Sequence, residues 1–340
     1  MGSGLSPARF RESKRPSLLT FVVRRSLQSI PLLLLISLIL FVILNNAPGG
    51  PLTPYLQNPH ITQADIERLR HNLGLDQPAW VQYLHWLGHV AIGDFGYSTS
   101  NSEPVIQAML ERLPATLELM GAALVLSLVV GVALGIISAL KPYSFLDYAM
   151  TTFAFFGQSM PVFWLALMLQ IAFAVYGITA FGYHFALPSA SISSLDTFDW
   201  GDRLEHLILP TITLSLLYIA QWSRFMRSSM LEVIKTDYIR TASAKGLSRR
   251  KVVLKHAFKN ALIPLVTIIA VTLPQLVSGA GVTETIFAWP GMGRLFFNAL
   301  GVFDFSLLMG YLCLASFLVV FSNLLADIAY AMLDPRVKYS

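Results

Sequence analysis

Six long apolar runs, separated by polar segments, dominate the pattern of this chain. They fall at about 26–45, 114–140, 147–177, 206–226, 261–283 and 305–333, each enough to carry a helix through a bilayer core, which takes ~20 residues. Strand-like alternation of the outer-membrane barrel kind is absent from the sequence. Helices are then the way to satisfy this backbone in lipid. The expected fold class is an all-α integral membrane protein with six transmembrane helices. Its expected parts are a disordered cytoplasmic N-terminus (1–17), a first transmembrane helix (18–45), an external loop subdomain (46–113), a five-helix core (114–333) and a cytoplasmic tail (334–340).

Polar residues inside the runs are the first candidates for function. Gln158, Pro161, Gln170, Pro264, Pro274, Gln275, Ser278 and Gly279 interrupt otherwise apolar sequence. Proline removes a backbone hydrogen bond and bends a helix. In a membrane that is tolerated where neighbours or water re-satisfy the freed carbonyl, so "LPQLVSGAG" reads as helix facing protein or a cavity. Small residues equally permit close helix packing, and both roles stay open. Gln158, Ser159, Met160 and Pro161, with Gln275 and Ser278, are the pathway candidates. Asn323, Asp327 and Tyr330 lie at i, i+4 and i+7, on one helix face. An Asp at the bilayer centre costs about 2.5–3.5 kcal/mol. The position of Asp327 just before "LDPRVK" puts it near a membrane edge, as a structural cluster tying helices together. Glu118 in "RLPATLEL" is placed similarly.

Composition removes the soluble alternative. The chain is 55% hydrophobic and 13% charged, against roughly 25% charged in ordinary soluble domains, and its mean hydropathy is +0.61. Its single cysteine, Cys313, excludes a disulfide within the chain. Charge then sets orientation. With a cytoplasmic N-terminus, nineteen of the 24 Lys and Arg fall inside, ten of them from Arg224 to Lys259. The outside loops keep Arg68, Arg70, Arg112, Arg203 and Arg294. This positive-inside bias predicts both termini in the cytoplasm. The start "MGSGLS" fits a myristoylation pattern that arises often by chance. The run 26–44 exceeds a usual signal-peptide core and lacks a clear A-x-A site, so the first helix is expected to stay.

The external segments carry their own signals. "ITQADIERLRHNLGL" reads as an amphipathic helix with Thr62 as N-cap and Gly74 near its stop. Trp80, Tyr83 and Trp86 suit the membrane interface. His85 and His89, at i and i+4, could share a metal, but no third ligand accompanies them and the site assignment is metal: none. Asp196, Asp199, Asp202 and Glu205 form an acidic loop, either a contact for a cation or partner or a solvated surface. "ETIFAWPGMGRLFFNAL", broken by Pro290, Gly291 and Gly293, is expected to pack on the outer mouth of the bundle.

Between the fourth and fifth runs stands "TDYIRTASAKGLSRRKVVLKHAFKN", with seven Lys or Arg against one acid, Asp237. "KTDYIRTASAKG" reads as a short helix with Thr236 or Asp237 as cap and Gly246 as stop. Ser248 can cap the next helix. Arg249, Arg250 and Lys251 then sit in its first turn, where the macrodipole disfavours cations by about 0.3–1 kcal/mol each. Retention on the cytoplasmic side, anionic lipid or an acidic partner must favour them. Topology alone explains the charge but not the ordered helix–Gly–helix pattern.

That segment resembles the cytoplasmic "EAA" loop of ATP-binding-cassette importer permeases, in the version of the oligopeptide/dipeptide branch. Gly246 stands at the loop glycine, and the triplet position reads Arg240-Thr241-Ala242, so only the alanine of the generic form is kept. Lys259 stands where many sugar permeases have proline, while Pro264 matches their second proline. "LGLDQPAWVQYLHWL", "GDFGYS", "RLPATLEL", "AWPGMGRL" and "NLLADIAYAMLDPRVK" extend the similarity along nearly the whole chain. The resemblance implies a type I importer permease fold in the bacterial plasma (inner) membrane. It implies a second, unlike permease subunit, two ATPase subunits, an external substrate-binding protein and a peptide substrate, with no nucleic acid. The coupling helix would be 237–246, with Asp237, Tyr238, Arg240, Thr241, Ala242, Lys245, Gly246 and Leu247 as ATPase-coupling residues. No G-x-x-x-x-G-K-[ST] loop occurs in the sequence. ATP and Mg are therefore assigned to the partner ATPases, with no cofactor and no catalytic residue in this chain. Nickel or glutathione are alternative cargoes within the same branch. An ion-coupled secondary transporter would need inverted repeats and mid-membrane carboxylates, and an intramembrane protease a Ser–His pair inside the spans; the sequence shows neither convincingly.

Overall fold

The computed structural model of the chain describes residues 18–56, 60–180, 183–195, 197–277 and 280–333. The two expected tails, Asp196, Ser278 and Gly279 lie outside the described residues. The helices are α1 (Leu18–Asn45), α2 (Gln63–Asn72), α3 (Ala79–Ala91), α4 (Val105–Leu140), α5 (Phe145–Ser159) and α6 (Val162–Leu169). They continue with α7 (Trp200–Ile234), α8 (Asp237–Ala244), α9 (Phe258–Val277), α10 (Gly281–Ile286), α11 (Met292–Val302) and α12 (Phe305–Leu333). Two small antiparallel hairpins add to the expected all-α fold, Tyr97–Ser98 with Glu103–Pro104 and Ile178–Ala180 with Tyr183–Phe185.

Among the described residues, α1, α4, α7 and α12 are long and apolar enough to cross a membrane, and the broken pair Phe145–Ser159 and Val162–Val175 makes a fifth if counted as one span. The twenty-residue α9 overlaps the fifth apolar run, beginning three residues before it.

The centre of the bundle is the pairing of α4 with α7. Every fourth residue of α4, from Ala115 through Leu119, Ala123, Ser127, Gly131 and Gly135 to Ala139, is buried. A four-residue repeat forms one ridge of a helix, and its small members let backbones approach closely. A Cβ on Gly135 would stand 2.6 Å from the Met226 Cβ and from the Ser223 carbonyl oxygen. The contacts rise together along both helices, Ser215 donating to the Ala123 carbonyl and Trp222 Nε1 to Ser127 Oγ. The two helices therefore run parallel, with α5 and α6 as the return path between them.

Several boundaries differ from the sequence expectation. The second span starts at Val105 rather than 114, with Pro114 inside the helix. Val105, Ala108 and Met109 are fully buried in a cluster with Leu307, Leu308 and Met309 of α12, and that burial supports turns whose charges suggested a loop. The third span, expected as one helix, breaks at Met160 and Pro161, and its halves meet at 102°. A residue before proline is pushed out of the helical region, and Met160 is extended at φ −77°, ψ 131°. The fourth span runs well past 206–226 at both ends. Asp199 caps its start by accepting from the Asp202 amide at 2.9 Å. The fifth span enters through a π-helical stretch, Val252–Ala257, and is followed by the separate helix α10.

Candidate functional site

At the end of α7 the chain turns into α8, the expected coupling helix. Thr236 occupies the N-cap position in extended conformation, without a capping bond from its side chain, which donates instead to the Val233 carbonyl. The helix stops as expected at Gly246, whose φ of +78° is a left-handed conformation open to glycine. Ile239 and Ala242, at i and i+3, are buried in a cluster with Met230, Val252 and Ala257. Asp237, Tyr238, Arg240, Thr241, Lys245, Gly246 and Leu247 are exposed. A short amphipathic helix is thus seated by its apolar side and offers its polar side outward. Ser248 stands at the next N-cap position without a side-chain capping bond. Arg249, misplaced for its own helix, reaches the Leu140 carbonyl at 3.5 Å, where the C-terminal dipole of α4 favours a cation.

The helices above the elbow are tied by a buried ion pair. Arg227 of α7 meets Asp147 of α5 in two parallel hydrogen bonds, and Ser138 of α4 also donates to Asp147. Asp147 further accepts from the Tyr143 amide at 2.9 Å, closing the short turn between α4 and α5.

The pathway candidates divide. Gln158 and Ser159 are exposed on α5 at the break, with Met160 and Pro161 forming it. Gln158 Oε1 accepts from Arg224 Nη2 at 3.3 Å, and Ser159 Oγ donates back to the Phe155 carbonyl. The Gln275 side chain and Ser278 lie outside the described residues. Arg224, which no sequence motif marked, is the residue added by the structure.

The structural cluster at the end of α12 takes a different form from the expected one. Asp327 pairs with Arg25 of α1 at 3.0 Å, tying first helix to last, while Asn323 is exposed and the Tyr330 side chain is outside the described residues. Glu118 receives Arg203 in a bidentate pair, and that guanidinium also lies 5.5 Å above the Trp289 ring.

The turn-broken piece packs against the first half of α4. Trp289 is fully buried with Nε1 donating to the Ala115 carbonyl, and Thr116 links the Glu284 carboxylate to the Met292 amide. Glu284, fully buried, also accepts from the Arg294 amide. In the segment 46–113, expected to be external, Thr62 and Asp65 form a capping box, and Gly74 has φ +64°. Tyr83 and Trp86 pack on Phe41 of α1, while Trp80 stays exposed. The His85 and His89 rings are 4.7 Å apart. His89 Nδ1 lies 2.9 Å from Asp94 Oδ2. The Gly96 amide and this histidine hold the Asp94 carboxyl below its ordinary range. The expected acidic loop is used locally: Asp199 caps α7 and Asp202 accepts from Ser193 and Ser194.

Comparison with known proteins joins these features. Residues 131–339 match the family described as binding-protein-dependent transport system inner membrane component, and residues 18–120 match its N-terminal counterpart. The chain is 41% identical to the oligopeptide transport system permease protein AppB of Bacillus subtilis, over 94% of this chain and 99% of the relative. It is 39% identical to the dipeptide transport system permease protein DppB of Alkalihalophilus pseudofirmus, over 95% and 100%. It is 36% identical to the protein of the same name in Escherichia coli K12, over 95% and 99%. With both parts of the family matched along most of its length, this chain belongs to the binding-protein-dependent transport system inner membrane components.

Proposed function

We propose that the chain is one of two unlike permease subunits of an ATP-driven importer for di- or oligopeptides. It crosses a bacterial plasma (inner) membrane six times with both termini in the cytoplasm. An external binding protein delivers the peptide, and two partner ATPase subunits bind ATP and Mg. The observation that carries the mechanism is the amphipathic α8, fixed inward by Ile239 and Ala242 and exposed outward from Asp237 to Leu247.

A helix set on the end of a 35-residue α7 passes force efficiently, because packed helices shift as units rather than deform. Movement of the ATPase pair would carry α8 with it. The Asp147–Arg227 tie would then bring α5 and its break at Pro161 along, opening one side of the bundle or the other. The names of the relatives, which concern oligopeptides and dipeptides, support the choice of cargo.

The experiment is disulfide trapping in the whole complex. Cysteine at Tyr238 or Thr241, with Cys313→Ser, should crosslink to an engineered cysteine in the ATPase cleft and stop ATP-dependent uptake of a radiolabelled dipeptide. Reduction should restore it. Absence of any crosslink from either position, or labelling of both by an impermeant external reagent, would sink the proposal.

A further inference from the structure

We propose that Arg224, with Phe155 and Gln158, forms a carboxylate-binding station towards the cytoplasmic end of the spans that takes the C-terminal carboxylate of a peptide in transit. The inference rests on the peptide-import reading above and names the chemistry of its passage.

Depth is the first argument. Arg224 precedes the end of α7 by ten residues and Gln158 follows the start of α5 by thirteen. At 1.5 Å per residue both stand roughly 15–20 Å from those helix ends, and because α7 runs on past the apolar run 206–226, Arg224 lies within that run near its cytoplasmic end. A charge within an apolar run is costly, so it faces protein or water unless it is paired.

Pairing is the second. Arg227, one turn further on, is neutralised by Asp147, Arg203 by Glu118 and Arg25 by Asp327. Among the described residues no carboxylate lies in ion-pair distance of Arg224, which is exposed. Its contacts are the Gln158 oxygen at 3.3 Å and the face of Phe155, 5.2 Å from its centroid. A guanidinium carries five N–H donors in a planar fork. One is used by Gln158, and the ring holds the plane in place, so a free edge remains for a bidentate carboxylate.

The surroundings make it a route rather than a lipid face. Below Arg224, Ser228, Glu232 and Lys235 continue at helical spacing along α7, and with Tyr148 and Thr151 of α5 they line a groove of about 470 Å³ running to the cytoplasmic end. Above it, the chain breaks at Met160 and Pro161, and irregular backbone at membrane depth is tolerated where it is buried in protein or lines a water-filled cavity. The ligand class follows from generality. Every unmodified peptide ends in a carboxylate whatever its side chains, so one fixed guanidinium serves cargo of any sequence.

The test uses the complete complex with its binding protein in liposomes, given a free-acid dipeptide and its C-terminal amide. Arg224→Gln should cut uptake of the acid at least tenfold and leave the amide within twofold, while Arg224→Lys keeps most acid uptake. Since the binding protein itself can reject the amide, a second arm uses Arg224→Cys with Cys313→Ser. A 2-aminoethyl thiol reagent should restore acid uptake and a 2-sulfonatoethyl reagent should not. Wild-type uptake in Arg224→Gln overturns the proposal, and so does recovery blind to the sign of the reagent. Equal loss of acid and amide, accompanied by dissociation of the permease pair or by an altered dependence on anionic lipid, also overturns it and reassigns Arg224 to that contact. Failure of the peptide reading looks different: the wild-type complex then imports neither dipeptide.

Discussion

Arg227 on α7 grips Asp147 on α5 through Nε to Oδ1 at 2.9 Å and Nη2 to Oδ2 at 2.8 Å, across 80 residues of sequence. Asp147 is almost wholly buried, whereas the Arg227 side chain keeps 28% exposure. Removing one partner of a buried pair leaves the other uncompensated, at about 3–5 kcal/mol. The solvent contact of Arg227 argues for the low end. Asp147→Ala should therefore lose ~3 kcal/mol, read as a clear fall in the thermal midpoint of the purified complex. Asp147→Ala combined with Arg227→Met should lose distinctly less than the sum of the two single changes. Strict additivity would mean the two residues do not act as a pair.

Close approach of α4 and α7 gives a second test with an internal control. Gly135 has no room for a methyl group, since Met226 Cβ and the Ser223 carbonyl oxygen would both stand 2.6 Å away. Gly121, on the same helix, has nothing within 4 Å of the added atom. Gly135→Ala should destabilise by ~1–3 kcal/mol through overpacking, and Gly121→Ala should be neutral or slightly stabilising through its better helix propensity. Thermal unfolding of the two variants in nanodiscs makes the comparison. Equal behaviour would contradict the packing.

These examples show what the sequence could and could not convey. Local signals were legible: the N-cap at Thr62, the stop at Gly246 and the disruption at Pro161 each depend on residues within one or two turns. The span limits were less so, because the first turns of α4 are held by Leu307, Leu308 and Met309, some 200 residues away. The ion pairs were illegible for the same reason. Arg25 finds Asp327, and Glu118 finds Arg203 85 residues on, choices made by helix packing and not by any spacing. Arg224 carried no motif at all; the lack of any carboxylate at ion-pair distance among the described residues singles it out.

Asp304 anchors the 97–104 hairpin to the start of α12. Its fully buried carboxylate accepts from Ser98 Oγ at 2.7 Å and from the Ser100 amide and hydroxyl at 2.9 Å, and its other oxygen from the Leu307 amide at the start of α12. Hydrogen bonds to a charged group contribute about 1.5–3 kcal/mol each, and several are lost together in Asp304→Ala. The expected result is faster cleavage near residues 97–104 by protease added outside, with α12 still inserted. Ser100→Ala should give a milder increase. Unchanged cleavage in both would show that the loop is held by something other than this carboxylate.

Gly246 tests the elbow itself. Nothing lies within 4 Å of a Cβ placed there, so Gly246→Ala changes only the ease of holding φ at +78°, a strain of ~1 kcal/mol. Proline cannot adopt that angle, and Gly246→Pro must re-route the chain between α8 and the helix that enters the bundle as α9. Gly74, at φ +64° and equally open in the segment 46–113, is the matched control. Gly74→Ala should affect stability about as much as Gly246→Ala and leave uptake per ATP hydrolysed unchanged. Gly246→Ala should lower that ratio modestly, while Gly246→Pro, like Asp237→Arg on the exposed face of α8, should let the chain insert yet hydrolyse ATP without import. The comparison separates a merely stabilising turn from a transmitting one, because stability should fall alike in the two alanine variants and only damage at the elbow should uncouple. Normal uptake in Gly246→Pro and Asp237→Arg together would remove α8 from the transmission path.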